Sequence, residues 1–314
     1  MIKDMTKKQW LIYILVPLLP LLIFWFLPMF ISLFISFTNW DYISPTYDVV
    51  GIENYTDLIT SEEFASSLWN TVVFSLGTVI PTLVIGFLLA LLLIRQKFMH
   101  NFIQACLFAP WVTPMVAVSI VWSWMYQPEG LINNLLAHIG VSGPDWLSSS
   151  TFAMVAVIIV TVWKNAGWAM LFYSTAMSSI SPAYDEVCDI AGASYWQRIR
   201  TIYFPMTLPT TLFLSVITLI SSIQAYDQIN VLTQGGPAGA TRTLLYMFYQ
   251  LAFEEFNMGK ATALSVIMLV ITGFLAFAIF SLQGHYRKEG MAWEIKNGIV
   301  RELFVPSYSY SSAF

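Results

Sequence analysis

The chain has 314 residues, of which 57% are hydrophobic, 16% aromatic and 10% charged, with a net charge of −4 at pH 7. Soluble domains carry about 25% charged residues, so there are too few polar side chains here to cover a globule. A soluble enzyme and a disordered chain are disfavoured, and the acidic balance leaves no footprint for nucleic acid. The composition is that of an integral membrane protein.

A spanning helix needs about 20 apolar residues. The first candidate is 11–37, preceded by the basic residues Lys3, Lys7 and Lys8. Its apolar run exceeds the roughly 7–15 residues of a signal-peptide core, and no small-x-small cleavage site follows, so it reads as a retained first helix. Residues 38–68 form an acidic outer segment with Trp40, Tyr42, Tyr47 and Tyr55, which closes an N-terminal region of residues 1–68. A transmembrane domain over 69–283 follows, with helices at 69–94, 102–126, 152–178, 206–230 and 261–283 and a loop at 181–205. Together these make six transmembrane helices, all too long and too continuously apolar for barrel strands. Between the third and fourth, residues 127–151 hold Pro128, Gly130, Gly143 and Pro144 as loop punctuation. Further on, Gly235-Gly236-Pro237 marks a turn, and Thr241 to Phe253 reads as a short helix. Its apolar positions Leu244, Met247, Phe248 and Leu251 are expected to lie at the membrane interface. The tail, 284–314, carries Arg287, Lys288, Lys296 and Arg301.

Basic residues orient such a chain. Eleven of its 14 lysines and arginines fall in the N-terminal segment, the loops after helices two and four, or the tail. The opposite loops carry acids, among them Asp41, Asp48, Glu53, Asp57, Glu129 and Asp145. Both termini are therefore expected in the cytoplasm.

The loop after helix four is rich in capping signals. Ser181 reads as an N-cap with Pro182 at the first helical position, and Asp185 and Glu186 sit at the positive end of the helix dipole. Gly192 supplies the left-handed residue that ends the helix. Ser194 and Gln197 then form a capping box that opens a second helix running to about Phe204 and stopping at Pro205. The product is a compact helix-turn-helix, with Tyr195 and Trp196 of the types that anchor interfaces. An ordinary cytoplasmic hairpin fits the same local signals.

Glu186-Val187-Cys188, three residues, Gly192, nine residues, and Ile202-Tyr203-Phe204-Pro205 resembles the EAA motif of ABC importer permeases. Glu186, Gly192, Ile202 and Pro205 match that motif, while Val187 and Cys188 replace its alanines, Phe204 its leucine and Ala191 a common aspartate. Trp163-Lys164-x-x-Gly167, Gly51-Ile52-x-Asn54-Tyr55, Gln234-Gly235-Gly236-Pro237 and Met258-Gly259-x-Ala261 look like the maltose-type, binding-protein-dependent sugar permeases. The resemblance implies a type I ABC importer permease fold with a cytoplasmic coupling helix-turn-helix. Glu186, Gly192, Ala193, Tyr195, Trp196, Ile202 and Pro205 would meet the ATPase. It also implies a second homologous permease subunit, two ATP-binding subunits that hold ATP and magnesium, and an extracytoplasmic solute-binding protein, in the inner membrane of a prokaryote. No G-x-x-x-x-G-K-[ST] phosphate loop occurs in the sequence, so no enzymatic role and no cofactor are expected of this chain.

Three histidines, His100, His138 and His285, scatter over different loops and suggest no metal site, and Cys106 and Cys188 read as packing residues. Lys164 stands out, since a charge inside a span costs roughly 2.5–3.5 kcal/mol and faces a cavity or partner. With Asn165, Thr218, Ser222, Gln224 and Tyr226 it forms the candidate substrate pathway. Helix–helix hydrogen bonding, the common use of such groups in membranes, is the alternative, and it is favoured for Ser119 and Thr161. An anionic solute would use Lys164 as its counter-charge. With a neutral sugar, Lys164 would instead pair with a neighbouring helix or a carbonyl. Clustered polar and aromatic groups favour the sugar over a phosphorylated polyol such as glycerol phosphate. A secondary transporter would need carboxylates at mid-membrane, and the charge-free helices carry none.

Overall fold

A computed structural model describes residues 7–96 and 98–296; the basic start before Lys7, Lys97 and the end of the tail lie outside them. Among the described residues the architecture is helical, and extended pairing is limited to one bridge between Thr38 and Val49. Four helical stretches are long and apolar enough to cross a membrane: Leu15–Ile35, Glu62–Ile94, Ala153–Ser178 and Met258–Ile279. Two further candidates are bent pairs.

The first stretch comprises α1 (Lys7–Leu21), a π turn (Leu22–Phe26) and α2 (Leu27–Ile35). Pro28 has no N–H and its ring crowds the Phe24 carbonyl, so the helix widens just before it, with Leu27 N–H reaching back to Leu22 O. None of the membrane-length part of this helix is buried. Its end is held instead: Asn54, on α3 (Glu53–Thr60), donates to the carbonyls of Ser36 and Thr38 at 2.9 and 2.8 Å, and Tyr55 OH lies 2.6 Å from Ser36 Oγ. The Gly-Ile-x-Asn-Tyr motif is thus a staple. Beside it, Trp40 packs on Tyr42 and Tyr47. The Asp41 carboxylate accepts the Ser44 N–H and hydroxyl and the Ile43 N–H, bonds that hold it below the usual carboxylate range.

The second helix, α4 (Glu62–Ile94), starts seven residues earlier than 69, because Ser61 caps the Phe64 N–H. Ser67, Thr71, Ser75, Thr78 and Thr82 recur at helical spacing and all are buried, whereas Trp69, Leu76, Ile80, Val84 and Leu92 are exposed. Small hydroxyl residues turned inward and large apolar ones turned out is the packing logic of a lipid-facing bundle. Thr71 Oγ1 accepts the Leu244 N–H, and Ser75 meets Ser222.

The third predicted helix, 102–126, is not one rod. It is α5 (His100–Val112) and α6 (Met115–Met125), bent by 95°. Pro114 drives Thr113 out of the helical region, to ψ 136°. The following loop contains α7 (Leu131–His138). Next comes α8 (Ala153–Ser178), which packs against α4 and α5. The helix-turn-helix is α9 (Ala183–Ile190) and α10 (Tyr195–Arg198), and a π turn (Ile199–Tyr203) leads into α11 (Phe204–Met206). Helicity therefore runs through Pro205 rather than stopping there, and breaks by 62° at Thr207. The fifth predicted helix, 206–230, resolves into α12 (Leu208–Ile223) and, after a turn, α13 (Asp227–Leu232).

The expected interfacial helix is α14 (Leu244–Tyr249) with a π turn (Gln250–Glu254), and here the expectation fails. Leu244, Met247 and Leu251 are buried in a cluster with Leu58, Phe64 and Leu264, so this apolar face belongs to the core, not to the membrane surface. The last helix, α15 (Met258–Lys296), continues beyond 283 into the tail.

Candidate functional site

Between the middle of α8 and the C-terminal half of α12 a cavity of about 130 Å³ is lined by Trp111, Asn165, Trp168, Ile217, Thr218 and Ser221. Asn165 and Trp168 are three apart on α8, and Thr218 and Ser221 three apart on α12, so each pair shares a helix face. Thr218 is buried and its hydroxyl has no partner. The rings continue along this face. Trp111 and Trp168 stack with centroids 6.3 Å apart, Trp168 meets Phe172 at 4.9 Å, and Phe172 meets Phe213 at 5.9 Å. A groove of about 580 Å³, lined by Phe172, Thr175, Ser179, Thr210 and Phe213 among others, extends the same face toward the helix-turn-helix. Hydroxyls and an amide set among flat rings can bind a polyhydroxylated solute, whose hydroxyls need both donors and acceptors and whose C–H faces need apolar cover.

The structure gathers only part of the expected set. Asn165 and Thr218 share the cavity, with Trp111, Trp168 and Ser221 as partners that sequence reasoning missed. The signal was present in the i, i+3 spacing. Ser222 instead faces α4, its Oγ 2.8 Å from Ser75 Oγ and donating to the Leu219 carbonyl. Gln224 opens into a different groove, between α12, α14 and α15. Tyr226 stacks in an aromatic cluster with Tyr246 and Tyr249, the latter 4.8 Å away. Thr161 bonds back to the Val157 carbonyl, and Ser119 is buried with an unpartnered hydroxyl. Lys164 turns to α5, where its Nζ donates to the carbonyls of Pro110, Trp111 and Thr113 at 3.1, 2.7 and 2.7 Å.

The second candidate is the helix-turn-helix. Pro182, rather than Ser181, stands at the N-cap of α9; Ser181 Oγ reaches only the Ala183 N–H, at 3.4 Å. Gly192 has φ +65°, and Ala193 N–H bonds to Cys188 O while Gly192 N–H bonds to Asp189 O. These two bonds close the helix end in a Schellman motif. The Ser194–Gln197 capping box is complete. Arg198 braces the corner, pairing with Asp189 and Asp185, and Tyr203 OH donates to Asp185 at 3.0 Å. Sequence reasoning passed over this brace, whose partners are 9 to 18 residues apart. Trp196 is 73% exposed and Ile190 88% exposed, with Val187 and Tyr184 beside them on the surface. Glu186 is exposed in the first turn of α9. Tyr195 instead lies under Arg95, whose guanidinium sits 4.3 Å from its ring centroid. Ile202 is buried and anchors the knob, while Pro205 is exposed.

Among the described residues no cluster of three or more His, Cys, Asp or Glu is placed to hold a metal.

The chain is similar to several known proteins. A probable ABC transporter permease of Pyrococcus horikoshii is 31% identical over 292 residues, covering 90% of this chain and 100% of that protein. The trehalose/maltose transport system permease protein MalF of Thermococcus litoralis is 30% identical over 281 residues, covering 88% and 93%. Among solved structures, a chain of a bacterial ABC transporter involved in the import of the acidic polysaccharide alginate matches with a TM-score of 0.78 at 25% identity, covering 89% and 96%. Residues 82–288, from α4 through the knob into α15, match the family described as the binding-protein-dependent transport system inner membrane component, and the chain belongs to that family.

Proposed function

We propose that this chain is the membrane permease subunit of an ATP-driven importer that takes up a sugar or oligosaccharide delivered by an extracytoplasmic binding protein. The observation that carries the reading is the cavity between α8 and α12, where Asn165, Thr218 and Ser221 meet Trp111 and Trp168. The trehalose/maltose permease among its relatives supports the same solute class. Counting α5 with α6 as one span and α11 with α12 as another gives six, with both termini and the α9–α10 knob in the cytoplasm. The pathway face of α8 and α12 is open in the single chain, and the first helix is bare along its membrane part. A second, related permease covering the open face would complete the channel. Two ATP-binding subunits would receive the exposed Trp196, Ile190 and Val187 and supply ATP and magnesium. ATP chemistry resides on them, and this chain contributes the pathway and the coupling.

The test is protection. In a background lacking Cys106 and Cys188, Ser221→Cys should react with a small thiol reagent in the assembled complex. Saturating oligosaccharide trapped during turnover should slow that reaction several-fold, whereas a cysteine at lipid-facing Leu92 should be unaffected. Equal reaction rates at Ser221→Cys with and without solute would remove the sugar from this cavity.

A further inference from the structure

We propose that Lys164 is a positioning residue: its ammonium holds the broken end of α5 so that Trp111 stays in the wall of the solute cavity. The inference rests on the sugar-pathway reading above. The break creates the need. In a continuous helix the Pro110 carbonyl would accept from the residue four positions on, but that residue is Pro114 and has no N–H. Thr113 is extended, so the other terminal carbonyls of α5 also lose their partners. In the membrane no water replaces them.

Lys164 answers three of these carbonyls. An ammonium has three N–H donors, and Nζ lies within 3.1 Å of three carbonyl oxygens, those of Pro110, Trp111 and Thr113. A cation at a helix C-terminus also meets the negative end of the helix dipole. With every donor used, Lys164 has none left to hydrogen-bond a solute. What it fixes is Trp111, whose carbonyl it binds and whose indole stacks on Trp168 across the cavity from Thr218. Asn165, the next residue, faces the cavity itself. The Trp-Lys-x-x-Gly motif thereby acquires a mechanical meaning: lysine closes the end of α5, and Gly167, one turn on, lets α8 touch α5 at Leu107.

The test compares Lys164→Met, Lys164→Gln and Lys164→Arg in the full complex, each also carrying Ser221→Cys. Methionine keeps length and removes every donor, glutamine restores uncharged donors, and arginine restores both charge and donors. Losing charge-assisted bonds to carbonyls should raise the solute concentration for half-protection of Ser221→Cys about 10- to 100-fold in Lys164→Met. Glutamine and arginine should recover to within about tenfold of the parent, and the ratio of neutral to acidic oligosaccharide uptake should stay constant across the series. If only acidic-solute uptake is lost across the series, the charge acts on the solute and the proposal is overturned. Unchanged protection in Lys164→Met overturns it too. An unprotected Ser221→Cys in the parent complex would instead strike the pathway reading, so the two failures are distinct.

Discussion

Gly167→Val should leave a chain that inserts but does not form a stable complex. A Cβ at this position would collide with the Leu107 carbonyl oxygen and sit 3.1 Å from the Phe108 Cα, and both obstacles are backbone. Side chains can rotate away from an intruder, but here a whole helix must move. Overpacking of cores costs about 1–3 kcal/mol when side chains yield, so the cost here should exceed roughly 3 kcal/mol. The displaced helix, α5, also carries Trp111 and the carbonyls bound by Lys164, so the cavity is lost with it. Thermal stability of the purified complex and its yield after detergent extraction report the effect. Even Gly167→Ala should lower both, in contrast to Gly273→Ala, where a Cβ meets nothing within 4 Å.

The second large effect concerns coupling. Gly192→Val leaves ample room, since nothing lies within 4 Å of a Cβ there, but it places a β-branched residue at φ +65°. The left-handed region costs an L-residue about 1–2 kcal/mol, more when branched, so the Schellman corner should open and α9 should lose its angle to α10. Trp196→Ala should act without strain, by removing an exposed aromatic anchor of the kind worth about 2 kcal/mol or more at interfaces. Both variants should retain solute protection at Ser221→Cys yet lose most ATP-driven uptake and co-purify poorly with the ATPase. A cysteine at Gln197 should label only after permeabilisation. Labelling from outside, or full uptake in both variants, would detach the knob from coupling.

What could be read in advance follows the range of the interactions. The knob was legible because Pro182, Gly192, Ser194 and Gln197 act within a few residues through capping chemistry. Its brace, Arg198 with Asp185 and Tyr203, joins residues on different elements and needed coordinates. Apolar length located the long helices but not the 95° bend between α5 and α6, because hydropathy does not register that Thr113 turns extended before Pro114. The face of α14 was misassigned for a related reason. An apolar helical stripe looks the same whether lipid or protein covers it, and Leu58, Phe64 and Leu264, the residues that cover it, are distant in sequence. At the cavity between α8 and α12, polarity singled out Asn165 and Thr218, which the structure brings together, but it could not distinguish Ser221, which lines the cavity, from Ser222, which faces Ser75. One residue on a helix turns a side chain by about 100°.

The central claim, that this chain forms the sugar pathway of a binding-protein-dependent importer, is tested most directly by transport in proteoliposomes containing the complete complex. Labelled oligosaccharide should enter only when the solute-loaded binding protein is present on one side and ATP with magnesium on the other, and Asn165→Ala together with Thr218→Val should abolish that entry while the complex stays assembled. Uptake driven by an ion gradient without ATP, uptake indifferent to the binding protein, or entry confined to phosphorylated solutes would contradict the account.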